Sequence, residues 1–425
     1  MNLTVQKTID LNGEIFIPGS KSHTIRGVVM AALASGASRL VNPLDSADTK
    51  AAFNAVQALG VRIDASDPLE WIIEGFGGRP QAPAGPLNMQ NSGTSTNLIA
   101  AVAALGNFEV IIDGDNSIRQ RPLQSLLDAM QQLGAEAVSI EGNGCPPLRI
   151  RGPLRGGEAE VECRSSQYVS SLLITCPLIA GDTLIRVRQV CEAPYIQMTL
   201  DWLKALGIHW EQEGYSSFRI PGGQRYQPFT RKIPADWSSA TFPLCAAAMI
   251  NGSDCLIMGL DNKDSQADRE VIGYLRKMGA LIEVTDQGIR VRGGDLHGAE
   301  LDLNNTPDAL PAMAAAACVA KGVTVIKNVA HARIKETDRI RVMAQELGRM
   351  GARIKETPDG LIIEQSQLHG ALVQGHDDHR VVMALSLAGL AAEGLTSITT
   401  AEAVRVTFPD YVPFMQKMGA RMRVA

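Results

Sequence analysis

The stretch Val56–Ile63, VQALGVRI, carries an amphipathic pattern up to Leu59, a single glycine at Gly60, and then the alternation of a strand. A glycine in that place is the usual end of a helix, because the residue that turns the chain out adopts a positive φ. The phrase returns five times, as MQQLGAEA, LKALGIHW, LRKMGALI, LGRMGARI and MQKMGARM. Its glycines, Gly60, Gly134, Gly207, Gly279, Gly351 and Gly419, recur at intervals of 68–74 residues, so six similar units fill the chain. A second series, Gly36, Gly106, Gly181, Gly252, Gly322 and Gly394, closes apolar helical runs, and β-rich stretches such as DTLIRV and VTVIKNV follow several of them. Each unit reads strand, helix, strand, helix, paired strands. One such unit is too small to bury both helix faces, whereas three around shared helices make a domain. The expectation is an α/β chain of two three-unit domains.

Composition agrees. With 425 residues the chain exceeds what one core usually organises, and 45% hydrophobic with 20% charged residues is ordinary for a globular protein. Four Trp, six Tyr and nine Phe leave an aliphatic core and no aromatic platform for stacking bases. A net charge of −5 without a basic stripe argues against nucleic acid, and no apolar run reaches the roughly 18 residues a membrane span needs. The opening MNLTVQKTIDLNGEI alternates like a strand and lacks a signal-peptide core, so the cytoplasm is the expected compartment. The seven cysteines form no C-x-x-C pair and read as reduced core residues. His376 and His379 in GHDDHRV lack a third ligand cluster, so no metal is expected.

The six apolar helices open on PGSKSHTIR, NSGTSTN, RSSQYVS, DWSSAT, NTPDALP and DDHRVV. Capping accounts for Ser, Thr, Asn and Asp. It does not account for Lys21, Arg26, Gln167 or Arg380, because a helix N-terminus already carries partial positive charge and disfavours cations unless an anion is present. Two further clusters add Arg119 and Arg121 in DGDNSIRQRPLQ, and Lys335, Glu336, Asp338 and Arg339 in ARIKETDRIRVM. In the latter, Lys335 and Arg339 are expected at i, i+4 on one helical face, with a self-paired solvated surface as the alternative.

The ordered motifs PGSKS..R, NSGT, R.RP, SSQ, PD, KETDR, DHR and TFPDY resemble the enolpyruvyl transferase family over essentially the whole chain. The resemblance implies a two-domain inside-out α/β prism of six βαβαββ repeats, with chain crossings near Ser20 and Asp236. One domain is then 20–236, and the other joins 1–19 to 237–425. It also implies transfer of the enolpyruvyl group of phosphoenolpyruvate to the 5-hydroxyl of shikimate 3-phosphate with release of phosphate. No metal or organic cofactor is implied, the partners are these small molecules, and the chain is expected to be a monomer. By the same resemblance Ser22, Arg26, Ser165, Ser166, Gln167 and Lys335 contact shikimate 3-phosphate. Gly93, Arg121, Arg339 and Arg380 clamp phosphoenolpyruvate, and Lys21 and Gln167 lie between both. Asp308 acts as base on the bound acceptor, Glu336 works at the methylene carbon, and Lys21 completes the catalytic set.

The chain departs from the family pattern at Asn97, where Arg is usual, at Glu192, where Ser is usual, at Val406, where Lys is common with Arg405 one residue earlier, and at Leu98, where Pro is frequent. Two alternatives stay open. A branch of the family acting on UDP-N-acetylglucosamine carries Asn after the first Lys and a Cys in the loop before RP, whereas this chain has Ser22 and no Cys between Gly106 and Arg121. A paralogue that only binds an anionic metabolite would lack Asp308 or Glu336, and both are present.

Overall fold

The computed structural model describes residues 1–424, and the chain divides into two compact units, 1–18 with 235 onward, and 19–234. Twelve α-helices run through the described residues. They are α1 (Lys21–Leu33), α2 (Ala47–Ala58), α3 (Gly93–Ala103), α4 (Gln124–Gln132), α5 (Ser166–Thr175), α6 (Ala193–Ala205), α7 (Trp237–Met249), α8 (Val271–Lys277), α9 (Leu310–Val319), α10 (Arg339–Arg349), α11 (His379–Ala391) and α12 (Tyr411–Lys417). The odd-numbered helices are almost wholly buried: α9 is apolar all round and buries every residue from Leu310 to Cys318. The even-numbered helices are two-faced; α10 buries Ile340, Met343 and Leu347 and turns Arg341 outward. Each unit has its own aliphatic core, in which a fully buried Leu or Ile contributes about 1.5–3 kcal/mol.

Six four-stranded sheets share one plan: an edge strand parallel to the second, followed by two antiparallel pairings. In one, Gly157–Glu162 runs parallel to Thr183–Arg188, which pairs with Ser217–Ile220 and through it with Glu211–Glu213. Three sheets borrow a strand. The sheet beside α1 takes Thr230–Lys232 as its edge, because Asn12–Phe16, the strand that precedes α1 in sequence, pairs with Asp254–Met258. The last sheet takes Leu3–Gln6 from the N-terminus, between Leu395–Ile398 and Met422–Val424.

The first glycine series sits at positive φ throughout, with Gly60 at 106° and Gly279 at 92°, directly after the residues that end the even-numbered helices. The second series does not cap its helices. α1 is already out of helical geometry at Ala34, and after α5 the turn Cys176–Leu178, with Pro177, stands between the helix and Gly181. Not every cysteine is core, since Cys145 and Cys191 are partly exposed. Among the described residues no helix is long and apolar enough to cross a membrane.

Candidate active site

In the 19–234 unit, polar contacts tie the starts of α1, α3 and α5 to one another. Ser20 caps α1, Ser92 caps α3 and Ser165 caps α5 by accepting from the backbone of Gln167. Lys21 Nζ lies 3.0 Å from Asp48 Oδ2 on α2, and the Asp48 carbonyl accepts from Ser95 Oγ on α3 at 3.0 Å. Gln167 on α5 donates through Nε2 to Thr94 Oγ1 at 3.0 Å, while its Oε1 accepts from Asn97 Nδ2 at 2.8 Å. Asn97 also donates to the Gly93 carbonyl, so the residue standing in the usual Arg position fixes the orientation of Gln167. Gly93 lies under Arg121: a Cβ there would meet Arg121 Nη1 at 2.6 Å. Arg121 itself donates to Asn91 Oδ1 and Ser117 Oγ.

Arg26 is 2% exposed and directs Nε to Thr199 Oγ1, Nη1 to the Ser22 carbonyl, and Nη2 to Ser170 Oγ and the Tyr195 carbonyl. Burial pulls its pKa down to about 10, with Tyr195 opposing, so it stays cationic at neutral pH. The guanidinium thus binds α1 to α5 and α6, a positioning task that the spacing in PGSKSHTIR does not reveal. Glu192 is equally inward. Only 3% exposed, it accepts from Ser166 N at 3.2 Å and Ser166 Oγ at 2.8 Å, while Arg188, the cation nearest in sequence, pairs with Glu160.

In the other unit a charged cluster gathers around Arg339, whose side chain is 0% exposed. Its Nε donates to Asp378 Oδ2 at 2.8 Å, Nη1 to Asp308 Oδ1 at 2.7 Å, and Nη2 to Glu336 Oε2 at 2.5 Å. Burial alone would lower the Arg339 pKa, but Asp378, Glu336 and Asp308 outweigh it and hold the group above its ordinary value. Arg380 reaches Asp308 Oδ2 at 2.8 Å, so Asp308 is gripped by two guanidiniums, one on each oxygen. Asp378 caps α11 and also accepts from Thr337.

Three findings here differ from the sequence reading. Lys335 and Glu336 are not on a helical face with Arg339: residues 335–337 form a bend, and α10 begins only after Asp338, whose carboxylate accepts from Arg341 N. Lys335 is half-buried in that bend. The arginines are matched by carboxylates from outside the KETDR stretch as well as within it, since Asp308, Glu336 and Asp378 pair with Arg339, and Asp308 also with Arg380. Asp48 and Asp268 went unnoticed. Asp268 accepts from Ser238 Oγ, and burial pushes its carboxyl up to about 7, Asp308 adding to the rise and Arg380 opposing it.

A family model described as EPSP synthase (3-phosphoshikimate 1-carboxyvinyltransferase) matches residues 5–415. The chain belongs to the EPSP synthase family. It is 49% identical over 420 residues to the 3-phosphoshikimate 1-carboxyvinyltransferase of Acetivibrio thermocellus, covering 99% of both chains. Against the protein of that description from Ruminiclostridium cellulolyticum the identity is 45%, with both chains covered completely. Among solved structures, an EPSP synthase from Acinetobacter baumannii superposes with a TM-score of 0.84 at 29% identity, over 100% of this chain and 99% of that one. The enolpyruvyl transferase NikO from Streptomyces tendae superposes at 0.81 with 18% identity, covering 99% of this chain and 98% of its own, and speaks for the fold alone. Family membership therefore rests on the whole chain, the region of each motif included.

Proposed function

We propose that this chain transfers the enolpyruvyl group of phosphoenolpyruvate to the 5-hydroxyl of shikimate 3-phosphate and releases inorganic phosphate. The observation that carries the reading is Asp308 held by Arg339 and Arg380 with Glu336 on the same guanidinium, within a chain of the EPSP synthase family. Two carboxylates beside two arginines supply what the reaction demands: proton acceptance and donation next to groups that bind phosphate and carboxylate.

The reaction is an addition followed by an elimination. The acceptor oxygen bonds to C2 of phosphoenolpyruvate while its proton leaves to Asp308, and C3 takes a proton from Glu336 to become a methyl group. The tetrahedral adduct then returns a C3 proton to Glu336 as the C2–O bond to phosphate breaks, and the departing phosphate carries away the proton that Asp308 had taken, which resets both carboxyls. Arg121, Arg339 and Arg380 hold the phosphoenolpyruvate anion, Arg339 and Arg380 exchanging internal carboxylates for it. Lys21, Ser22, Ser165, Ser166, Gln167 and Lys335 contact shikimate 3-phosphate, with Lys21 and Gln167 also near phosphoenolpyruvate, and Arg26 serves the acceptor side through α5 and α6. The reading makes the protein a monomeric cytoplasmic enzyme. Phosphate release from phosphoenolpyruvate tests it: release is expected with shikimate 3-phosphate and not with UDP-N-acetylglucosamine, and the reverse preference would reject the proposal.

A further inference from the structure

Two thiols separated by 28 positions meet where neighbouring parallel strands end. Gly157–Glu162 and Thr183–Arg188 run side by side with Glu162 opposite Arg188, and Cys163 N donates to the Arg188 carbonyl at 2.9 Å. Just past them, Cys163 Sγ lies 3.4 Å from Cys191 Sγ and 3.8 Å from the Cys191 carbonyl. A disulfide has an S–S length of about 2.05 Å, so closure requires a sulfur displacement of about 1.4 Å, within reach of side-chain rotation. Cys163 is buried, whereas Cys191 is partly exposed and open to a small oxidant.

The thiols elsewhere in the chain differ in kind. Burial pushes Cys176, Cys255 and Cys318 up to about 12 and raises Cys245 further, which disfavours their thiolates, and it raises Cys145 as well. At Cys163 the hydrogen bond with the Cys191 thiol outweighs burial and lowers the pKa.

We propose that Cys163 and Cys191 are a reversible dithiol–disulfide site for hydroperoxides. The Cys191 sulfur attacks one peroxide oxygen, the O–O bond breaks, and Cys191 becomes a sulfenic acid as water departs with the thiol proton. The Cys163 sulfur then attacks the Cys191 sulfur, the S–O bond breaks, and a second water leaves with the Cys163 proton. Two thiols have given two electrons to one hydrogen peroxide, which ends as two waters. A dithiol reductant reverses the change by exchange.

The bond has a functional address. Cys163 stands two residues before Ser165, and Cys191 directly before Glu192, whose carboxylate rests on Ser166. Oxidation ties the segment before α5 to the segment before α6 and holds Glu192 on Ser166, which obstructs acceptor binding; this part rests on the proposed function.

The test uses the full chain, reduced and then treated with hydrogen peroxide. Titratable thiols are expected to fall from seven to five, with a Cys163–Cys191 cross-linked peptide in the digest and full recovery on dithiothreitol treatment. Cys191→Ser should form no internal cross-link at the same dose. No thiol loss, loss at other cysteines with this pair intact, or equal loss in Cys191→Ser would overturn the site. Shikimate 3-phosphate affinity of the oxidised chain should drop several-fold and return on reduction, and a cross-linked chain with unchanged affinity would overturn the coupling. Turnover by the reduced chain reports on the reaction separately.

Discussion

Glu192 occupies the left-handed region, φ 48° and ψ 41°, where a non-glycine residue is held at a cost of about 1–2 kcal/mol, and it stays there because its carboxylate finds the N–H and hydroxyl of Ser166. Ser166 lies in the first turn of α5, where an anion is favoured, so Glu192 takes the place the proposed function gives to a substrate phosphate. Two anions about 4 Å apart repel by roughly 1–4 kcal/mol at intermediate to high dielectric. Glu192→Ser is therefore expected to tighten shikimate 3-phosphate binding about tenfold, which equals about 1.4 kcal/mol, and to leave shikimate binding unchanged. Calorimetry on both ligands reads this directly, and equal effects on the two would remove Glu192 from the phosphate. Gly93→Ala acts through a neighbour: its Cβ would meet Arg121 Nη1 at 2.6 Å and push the guanidinium aside. The expected result is a raised KM for phosphoenolpyruvate, weaker competition by the phosphonate glyphosate, and unchanged binding of shikimate 3-phosphate. An unchanged KM would show that Arg121 does not hold phosphoenolpyruvate.

The helix starts were legible in the sequence because each cap acts locally: Ser92 bonds three residues on, Ser165 two, and Asp236 two and three. The start of α10 was not, because KETDRIR satisfies the i, i+4 pattern whether the helix begins before or after Asp338, and that carboxylate decides by capping at Arg341. Partners distant in sequence left no local trace either, as with Asp48 beneath Lys21 or Thr199 on Arg26. Asp268, in the short helix that leads into α8, belongs to this group and yields a measurable property of the element. With its pKa raised to about 7 in the folded state, against about 3.9 for an unperturbed Asp, the folded chain binds the extra proton between those values. The contribution is therefore favourable at low pH and is lost as pH rises from about 4 to about 7. Asp268→Asn should flatten that part of the Tm-against-pH curve, and an identical slope in the two proteins would assign it to other groups.

At the scale of the molecule, the six-fold repeat was readable from glycines alone, whereas the strand exchange was not: Asn12–Phe16 and Thr230–Lys232 are interchangeable as edge strands by pattern, and only pairing assigns them. Residues with roles in the proposed reaction come from both units, Lys21 and Gln167 from one, Asp308 and Glu336 from the other. Enolpyruvyl transfer is read out by phosphorus NMR of the native chain mixed with equimolar phosphoenolpyruvate and shikimate 3-phosphate. Both starting resonances are expected to decline together while inorganic phosphate and one new phosphomonoester grow in equal amounts. Inorganic phosphate appearing without the new phosphomonoester, or no change in any resonance, would contradict it.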